Sequence, residues 1–560
     1  MASFTTPWLT STTMSSPFAT RLATKYCPTD DEVLEIKALL VEPTLKAKGL
    51  DDEIAELQKA IDKLTQERDS LVAYVEAHKA LIAPMRRLPL DIIQEIFVAC
   101  LPTHRNCVMS AIEAPVILGR ICSSWRAISL STHRLWDRLH VVEPTRTDRS
   151  LSTFDVKYAQ RIEMTKTWLD RSGACALSIS LESGFDLSAN PQPASDLFLR
   201  ALIPYSSRWH RIAFTIPTSV TQSLGHLTEN DVPMLQDITI HERTEHRPGS
   251  VNMQWIFRGP QISSFSVSRP GFGRMAELPL RWSQLTALSL LFYEDNSVLT
   301  GLTSKRALEI LSRCPQLRMC SLSIYDDNST VEGLEVDPIV ECPFLNTIEL
   351  VCGGNSTWTI QRMFKCLSLP GLRHVKLGGY SSPDHEMLSI SHFLAVATQL
   401  EGLDIWANIF SKTSLIDLLR RLPHTIQQLK ISQFWAPEPA VDDDILAILT
   451  PSDDLSSICC PALRELSLSQ CVAFSDAALL RLITFRMTTE SCAPLQHVEV
   501  QSSTREMEFD LFARLQSFID AGLIVSLQYQ PPVSPFPQFS PWSGLEDDPA
   551  QRGPYGSVPY

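Results

Sequence analysis

The sequence predicts an α/β fold: a solenoid of stacked strand-and-helix repeats, preceded by a long helix and a small all-helical segment. Three observations carry this prediction. A six-residue pattern of apolar positions recurs through most of the chain, a proline often stands just before it, and a heptad of apolar residues precedes both. One strand and its return segment cannot bury an apolar face alone, so such a pattern requires stacked neighbours.

The repeated pattern is apolar-x-x-apolar-x-apolar, and from Leu235 onward its first positions lie 23 to 37 residues apart. Its last three positions alternate, as in Leu288-Ser289-Leu290, which is the period of a strand with one buried face. An earlier copy begins at Trp209, and a less regular one lies around Leu177. We predict one strand at each copy, and the later copies begin at Leu235, Ile262, Leu285, Leu317, Leu345, Leu372, Leu400, Ile426, Leu463 and Leu495.

Prolines mark the ends of the helices that return the chain between strands. In several copies a proline stands two or three residues before the first apolar position, for example Pro315 and Pro461. Proline cannot donate the helical hydrogen bond, and it restricts the residue before it. We therefore predict helices in the segments that precede such prolines, including residues 304–313, 391–398 and 414–422.

This pattern resembles the leucine-rich repeat. The resemblance implies a parallel-sheet horseshoe, with strands on the concave face and helices on the outer face. The Asn or Cys that usually follows the strand is missing from most copies. We predict the repeats over residues 209–529 and a linker with a capping repeat over residues 142–208, because a solenoid must cover its apolar end.

Composition excludes several classes of protein. The net charge of −14 argues against binding nucleic acid by neutralising phosphates. The 14 cysteines contain no C-x-x-C pair, and many fall inside the repeats, which fits a reducing compartment, cytoplasmic or nuclear. No apolar run reaches the length of a membrane span, and no secretory signal is evident at the N-terminus. We expect neither nucleic-acid nor membrane binding.

The two ends of the chain differ in composition from the rest. Residues 1–29 are rich in Ser and Thr, which predicts a disordered tail, with a transit peptide as the alternative. Residues 508–529 predict a final helix and strand that cap the repeats. Residues 530–560 are rich in proline, and we predict a second disordered tail there.

Residues 30–84 predict a helical or coiled-coil segment. A heptad of apolar residues runs from Ile54 to Ile82, with Asp51 and Asp52 at its expected start. We expect this stripe to pack within its own chain, for instance on residues 32–40, or to form a weak homodimer through residues 54–82. Arg68 and His78 interrupt the stripe and argue against a tight dimer.

The small all-helical segment follows directly. Pro89 suits the first turn of a helix whose apolar residues face one side, and a second helix is predicted over residues 114–129. The segment closes with Leu135-Trp136. The LP start, the Ile121-Cys122-x-x-Trp125-Arg126 middle and the Leu-Trp end together resemble an F-box, which we place at residues 85–141. Eleven residues, 103–113, form a longer connection than the F-box pattern contains.

The resemblance implies that this segment docks a Skp-family adaptor and, through it, a cullin scaffold. The residues that would form the docking surface are Leu88, Pro89, Ile92, Ile96, Val116, Leu118 and Trp125. Some of these must instead form the core of so small a unit. We expect Trp125 and Ile121 to lie in that core, and Leu88 with Pro89 to make contact with the adaptor.

No catalytic signature stands in the chain: H-E-x-x-H, G-x-S-x-G and the phosphate-binding loop are all absent from the sequence. We predict no enzyme activity, cofactor or metal. The predicted function is substrate recognition in a Skp-cullin-F-box type ubiquitin ligase, and the alternative is a scaffold outside any ligase, dimeric through the heptad helix. A protein substrate would bind the outward positions of the strands, among them Thr239, Ser289, Glu349, Lys376, Asp404, Lys430, Ser467 and Glu499.

Overall fold

The computed structural model describes the chain in ranges separated by gaps. These are residues 16–22, 24–82, 84–144, 151–183, 194–243, 259–268, 278, 280–291, 302–326, 339–354, 363–379, 397–433, 440–450, 459–502, 507–529, 540–543 and 545. The chain divides into two compact units, Met1–Ile93 and Gln94–Tyr560. Most of the predicted tails, residues 1–15, 530–539 and 546–560, lie outside the described residues, as do residues 391–396 of one predicted helix.

The first unit is dominated by one helix, α1, which spans Asp30–Leu81. The prediction of a start near Asp51 was wrong. Thr29 and Glu32 form a capping box at the true start, where hydrogen bonds from the Thr29 backbone and the Tyr26 hydroxyl hold the pKa of Glu32 down at about 2. Residues 32–40 and 54–81 belong to the same helix, so they cannot pair with each other inside one chain.

Short helices follow α1. Helix α2 spans Leu90–Ala99, and the predicted second helix is in fact two, α3 over Leu118–Ile121 and α4 over Ser123–Ser131. They separate at Cys122, whose extended backbone ends α3 while its sulfur accepts a hydrogen bond from the Trp125 backbone N–H at 3.4 Å. A small capping side chain thus starts a new helix where the apolar pattern alone predicts a continuous one.

The second unit contains an open sheet of 14 parallel strands that follow one another in chain order. The strands of this sheet are β1 Arg138–Val142, β2 Leu177–Glu182, β3 Trp209–Pro217, β4 Asp237–Arg243, β5 Ser264–Ser268, β6 Ala287–Leu291, β7 Met319–Asp326, β9 Thr347–Gly354, β11 His374–Gly379, β12 Gly402–Trp406, β13 Gln428–Ser432, β14 Glu465–Ser469, β15 His497–Ser502 and β16 Ile524–Tyr529. Strands β8 Val340–Glu341 and β10 Leu367–Ser368 form a separate parallel pair. The predicted α/β class is therefore confirmed.

The register explains the repeated apolar pattern. Leu288 on β6 pairs with Phe265 on β5 and Cys320 on β7, and the same row of buried side chains continues across the sheet. Leu290 belongs to a second buried row two residues further along each strand. Because every copy contributes to the same two rows, each strand depends on its neighbours to exclude water from its apolar face.

Helices connect many of the strands. Their bounds are α5 Leu151–Arg171, α6 Ala194–Leu202, α7 Ser304–Ser312, α8 Lys412–Arg420, α9 Asp443–Ile448, α10 Asp476–Thr488 and α11 Leu511–Asp520, with 3-10 turns at Ala19–Arg21, Pro84–Arg87, His133–Leu135, Ile203–Arg208, Thr218–His226, Glu229–Asp231, Trp282–Gln284 and Ala407–Ile409. The helices predicted at residues 304–313 and 414–422 are confirmed by α7 and α8. In the described ranges, no helix combines the length and apolarity that crossing a membrane requires.

The first strand of the sheet was not predicted. Strand β1 immediately follows the Leu135-Trp136 pair and lies parallel to β2, with Leu139 facing Ile179. On its other side, Val108 forms an isolated bridge with His140, whose backbone N–H donates to the Cys107 carbonyl at 2.7 Å. The long connection between α2 and α3 therefore pairs with the edge strand of the sheet.

Candidate functional site

All eight predicted substrate-binding residues lie in one row on the sheet. Each stands between the two buried positions of its strand, so its side chain points to the opposite face. Strand pairing links them directly through Ser266 and Ser321. We call this set the polar row, and its members in order are Thr239, Ser266, Ser289, Ser321, Glu349, Lys376, Asp404, Lys430, Ser467 and Glu499.

The polar row changes character along the sheet. Four hydroxyl residues occupy strands β4 to β7, and then the charges alternate from Glu349 to Lys430. Lys376 Nζ forms an ion pair with Glu349 Oε1 at 2.7 Å, and Ser321 Oγ donates to Glu349 Oε2 at 2.9 Å. Because neighbouring strands are about 4.8 Å apart, each charge is attracted to the next one along the row.

Asp404 is the most unusual member of the row. Its strand partners are Lys376 on β11 and Lys430 on β13. Its Oδ1 is buried and receives no hydrogen bond from any described residue. Burial raises the pKa of Asp404 above its usual value, and the two lysines oppose that rise. The carboxyl group is therefore an acceptor that a donor on a ligand would satisfy.

A cavity of about 370 Å³ surrounds Asp404 on this face of the sheet. Its lining includes five of the eight predicted residues, namely Lys376, Asp404, Lys430, Ser467 and Glu499. The other polar lining residues each stand two residues before a member of the polar row, on the same face of the sheet, and are Thr347, His374, Gln428, Glu465 and His497. The cavity thus presents acidic, basic and neutral groups together, which favours a zwitterionic or peptide-like ligand over a simple anion.

Gly402 provides the space for the His374 ring beside the cavity. A methyl group at Gly402 would lie 2.4 Å from His374 Nδ1 and 3.3 Å from Gln428 Oε1. The same relation recurs along the sheet, where a methyl group at Gly378 would lie 3.0 Å from the Trp406 indole. Missing side chains thus let larger neighbours lie flat on the sheet.

The residues predicted to dock an adaptor differ in exposure. In the first unit, Leu88 is half-buried, while Pro89 and Ile92 are exposed. Leu90, which was not predicted, is also exposed. Single exposed apolar side chains are common on protein surfaces, so this exposure leaves Pro89, Ile92 and Leu90 accessible without indicating a partner.

In the second unit, Ile96 is exposed, Val116 is half-buried, and Leu118 is only 5% exposed. Leu118 is therefore a core residue rather than a contact. Trp125 is half-buried and packs on Phe97 with ring centroids 4.8 Å apart. The expectation that Ile121 is buried was wrong, since 56% of it is exposed. The break at Cys122 turns that residue outward.

Sequence reasoning missed a second polar cluster, at the first strand of the sheet. Arg105 forms a two-point ion pair with Glu113, at 2.9 and 2.7 Å. Glu113 also accepts a hydrogen bond from the indole N–H of Trp542 at 3.1 Å. The sequence of residues 103–113 did not indicate this cluster, because Trp542, the partner of Glu113, lies 429 residues later in the chain.

The same C-terminal segment also contacts His140 on strand β1. Nε2 of His140 and the Ser543 carbonyl oxygen are 3.0 Å apart, and Nδ1 is 2.8 Å from Ser180 Oγ. A carbonyl oxygen only accepts, so the ring donates from Nε2 to Ser543. Residues 540–545 lie within the segment for which composition predicts disorder, yet the described ones make specific contacts.

Comparison with models of protein families and with curated protein sequences found no match to this chain. Across the described ranges, no group of three or more His, Cys, Asp and Glu side chains is placed to hold a metal ion. The candidate site is the polar row with its cavity, where charged and hydroxyl side chains of neighbouring strands lie side by side on one face of the sheet.

Proposed function

We propose that this chain is a non-catalytic substrate-recognition subunit of a Skp-cullin-F-box type ubiquitin ligase. The observation that carries the proposal is the order of its parts: F-box-like motifs between Leu88 and Trp136, followed directly by a long sheet with a polar face. The F-box-like segment would bind a Skp-family adaptor. The sheet would hold a protein substrate, and the ligase would act by placing that substrate near activated ubiquitin.

The repeated strands support the proposed function because they have features of leucine-rich repeats. The strands follow one another in parallel order, and the apolar positions form shared buried rows. Cys471 stands where that repeat usually has Asn or Cys, and its thiol lies 3.6 Å from the Ile431 carbonyl oxygen and 3.5 Å from that of Ser469. A buried side chain that satisfies strand carbonyls at that position is the structural role such a repeat requires.

The size of the binding face suits a protein partner. Fourteen strands at about 4.8 Å spacing extend over roughly 60 Å. The alternating charges of the polar row favour a partner with charges of both signs over one that is uniformly acidic or basic. Around Asp404, the buried Oδ1 favours a donor such as a backbone N–H or a lysine ammonium of the substrate.

A second candidate function is a scaffold outside any ligase. The observation that favours it is α1, whose apolar side chains remain exposed along most of the helix. In that case the same helices would join copies of the chain or other subunits, and no ubiquitin chemistry would follow. Binding to a Skp-family adaptor separates the two functions.

The test is a pull-down of the purified chain with a Skp-family adaptor. We expect the wild type to bind, and we expect Leu88→Ala/Pro89→Ala and Ile96→Asp each to reduce binding at least tenfold. Ile112→Asp is the matched control, because Ile112 is exposed but lies in the long connection rather than among the predicted docking residues. Absence of binding by the wild type, or equal loss in the control, would refute the adaptor function.

A further inference from the structure

The heptad of α1 extends well upstream of Ile54. Because α1 is one helix from Asp30 to Leu81, the same spacing can be followed back to Val33. The a positions are Val33, Leu40, Ala47, Ile54, Ile61, Arg68 and Val75. The d positions are Ile36, Pro43, Leu50, Leu57, Leu64, Leu71 and His78. Eleven of these fourteen residues are aliphatic, which continues the stripe over seven heptads.

This stripe is open to solvent. From Leu50 to Val75, its aliphatic residues are between 46% and 65% exposed. The helix is about 78 Å long, and an isolated helix in water is marginally stable without a partner for its apolar face. Pro43 and Gly49 lower its intrinsic stability further. A second helix along the stripe would remove these side chains from water.

We propose that α1 pairs with α1 of a second copy of this chain in a parallel, in-register, two-stranded coiled coil. The side-chain types select this arrangement. From Leu50 onward, β-branched residues occupy every a position except Arg68, and leucine occupies every d position except His78. β-branched residues at a with leucine at d favour two parallel strands over three or four.

The surface of α1 already has the depressions that such a partner requires. An open groove of about 520 Å³ is lined by Leu64, Glu67, Arg68, Leu71, Val72 and Val75, together with Glu76 and Lys79. In a parallel coiled coil, an a side chain enters a hole formed by the d, g, a and d residues of its partner. For Arg68 those are Leu64, Glu67, Arg68 and Leu71, which line the groove.

Arg68 sets the register. Its guanidinium is exposed and bonds to Asp69 at 2.7 Å within its own helix. In the in-register pair the two Arg68 side chains share one layer of the seam, and Glu67 of the partner copy, at the g position, lies beside each of them and offsets their repulsion. A shift by one heptad would place Arg68 against Ile61 or Val75 and desolvate a charge on an apolar side chain. The single polar a position thus selects one alignment.

The pairing does not depend on the proposed ligase function. It would hold two sheets, and therefore two polar rows, in one particle. A partner with two binding segments would then gain avidity without any new contact. The measurement that tests the pairing is the mass of the purified full-length chain in solution, which needs neither an adaptor nor a substrate.

Sedimentation equilibrium of the full-length chain tests the contact surface. We expect the wild type to have twice the monomer mass of 62.7 kDa. The double substitution Leu64→Glu/Leu71→Glu should give monomers. The matched control is Leu34→Glu/Leu45→Glu, since both leucines are exposed on α1 but stand at b and f positions outside the stripe. A monomeric wild type, or a seam variant that remains dimeric, would overturn the proposal.

A disulfide crosslink tests the orientation. Leu57→Cys places a thiol at a d position, where an in-register parallel pair brings residue 57 next to its own copy. Mild oxidation should then give a 57-to-57 disulfide, identified by mass spectrometry of the linked peptide. Leu45→Cys should not give the corresponding product. A dimer that fails to crosslink at 57 is antiparallel or out of register, and an assembly larger than a dimer is equally inconsistent with the proposal.

Discussion

The indole N–H of Trp542 donates a hydrogen bond to the Glu113 carboxylate over 3.1 Å, although the two residues are 429 positions apart in sequence. Glu113 is also held by Arg105, so one carboxylate joins the guanidinium and the indole. The C-terminal segment is thereby tied to the connection between α2 and α3. Hydrogen bonds to a carboxylate are stronger than neutral ones because the acceptor is charged.

This contact should be measurable in a double-mutant cycle. Trp542→Phe keeps an aromatic ring but removes the donor, and Glu113→Gln removes the charge of the acceptor. We expect each to lower the free energy of unfolding by about 1–2 kcal/mol and the pair to be clearly less than additive. Urea unfolding of the four proteins checks this. Strict additivity would show that the two side chains do not interact.

Asp404 should make stability depend on pH. Its pKa in the folded chain is above the ordinary value of 3.8 because of burial, so the folded protein binds its proton more tightly than the unfolded chain does. The wild type should therefore lose stability relative to Asp404→Asn as the pH rises above 3.8, until the folded carboxyl group is ionised. Below 3.8 this difference should be absent.

Thermal unfolding of both proteins between pH 3 and pH 8 measures this difference. Glu465→Gln is a suitable control because Glu465 lines the same cavity and the substitution also removes one carboxylate. A wild type that gains stability relative to Asp404→Asn with rising pH would contradict the prediction, because that sign requires a lowered pKa.

Gly402, which lines the cavity, and Gly379, at the end of β11, should respond differently to substitution. Gly402→Ala should destabilise by about 1–3 kcal/mol because the new methyl group meets the His374 ring at 2.4 Å. Adding His374→Ala should recover most of that loss, since the obstacle is a side chain. Gly379→Ala should cost more and resist such rescue, because its φ is +152° and its methyl group would lie 2.2 Å from the Cys352 carbonyl oxygen.

Differential scanning fluorimetry of Gly402→Ala, its His374→Ala double variant and Gly379→Ala provides the comparison. Recovery of Gly402→Ala by the second substitution identifies the ring as the cause. If Gly402→Ala were neutral, the close packing of His374 over Gly402 would be incorrect.

Arg486 on α10 is a buried charge whose loss should be costly. It is 1% exposed, and it donates to the carbonyl oxygens of Leu449, Cys459 and Cys460 at 2.6 to 3.3 Å. Arg486→Met fills much of the volume but leaves these acceptors without a donor, so we expect a loss of about 3 kcal/mol. The exposed Arg481 on the same helix is the control, and Arg481→Met should change the urea midpoint little.

If Arg486→Met and Arg481→Met changed the urea midpoint equally, the hydrogen bonds of the buried Arg486 would not be what stabilises the fold. Burial lowers the pKa of Arg486, and a guanidinium nevertheless stays protonated in proteins. The carbonyl oxygens therefore face a full positive charge, and we expect the two arginines to differ clearly.

The strands were predictable because their signal is local. Leu288, Ser289 and Leu290 alternate within three residues, and the face that each side chain takes follows from that alternation alone. The same alternation identified the outward positions, so all eight predicted binding residues fall in the polar row. The exposure of the residues between Leu88 and Trp125 was less predictable, because the packing of Leu118 and the exposure of Ile121 depend on where one short helix ends and the next begins.

Local signals also misled in two places. Asp51 and Asp52 have the composition of a helix start, yet α1 begins at Asp30, where Thr29 and Glu32 cap it and Pro43 is tolerated inside. Strand β1 carries the six-residue pattern at Trp136, Leu139 and Val141, and these residues are buried like those of the later copies. It was not predicted because Leu135-Trp136 was interpreted as the end of the small helical segment, whereas Leu139 in fact pairs with Ile179 of β2.

By itself, the sequence determined the α/β class, the repeat, the buried residues of each strand and the presence of a long heptad helix. The tertiary structure alone decided which outward residues meet. Asp404 lies between Lys376 and Lys430 only because strands that begin about 27 residues apart pair in register, and Trp542 reaches Glu113 only because the tail returns to the first strand. Hydrogen bonding between distant segments sets these neighbours, whereas alternation along a single strand sets only which face each residue occupies.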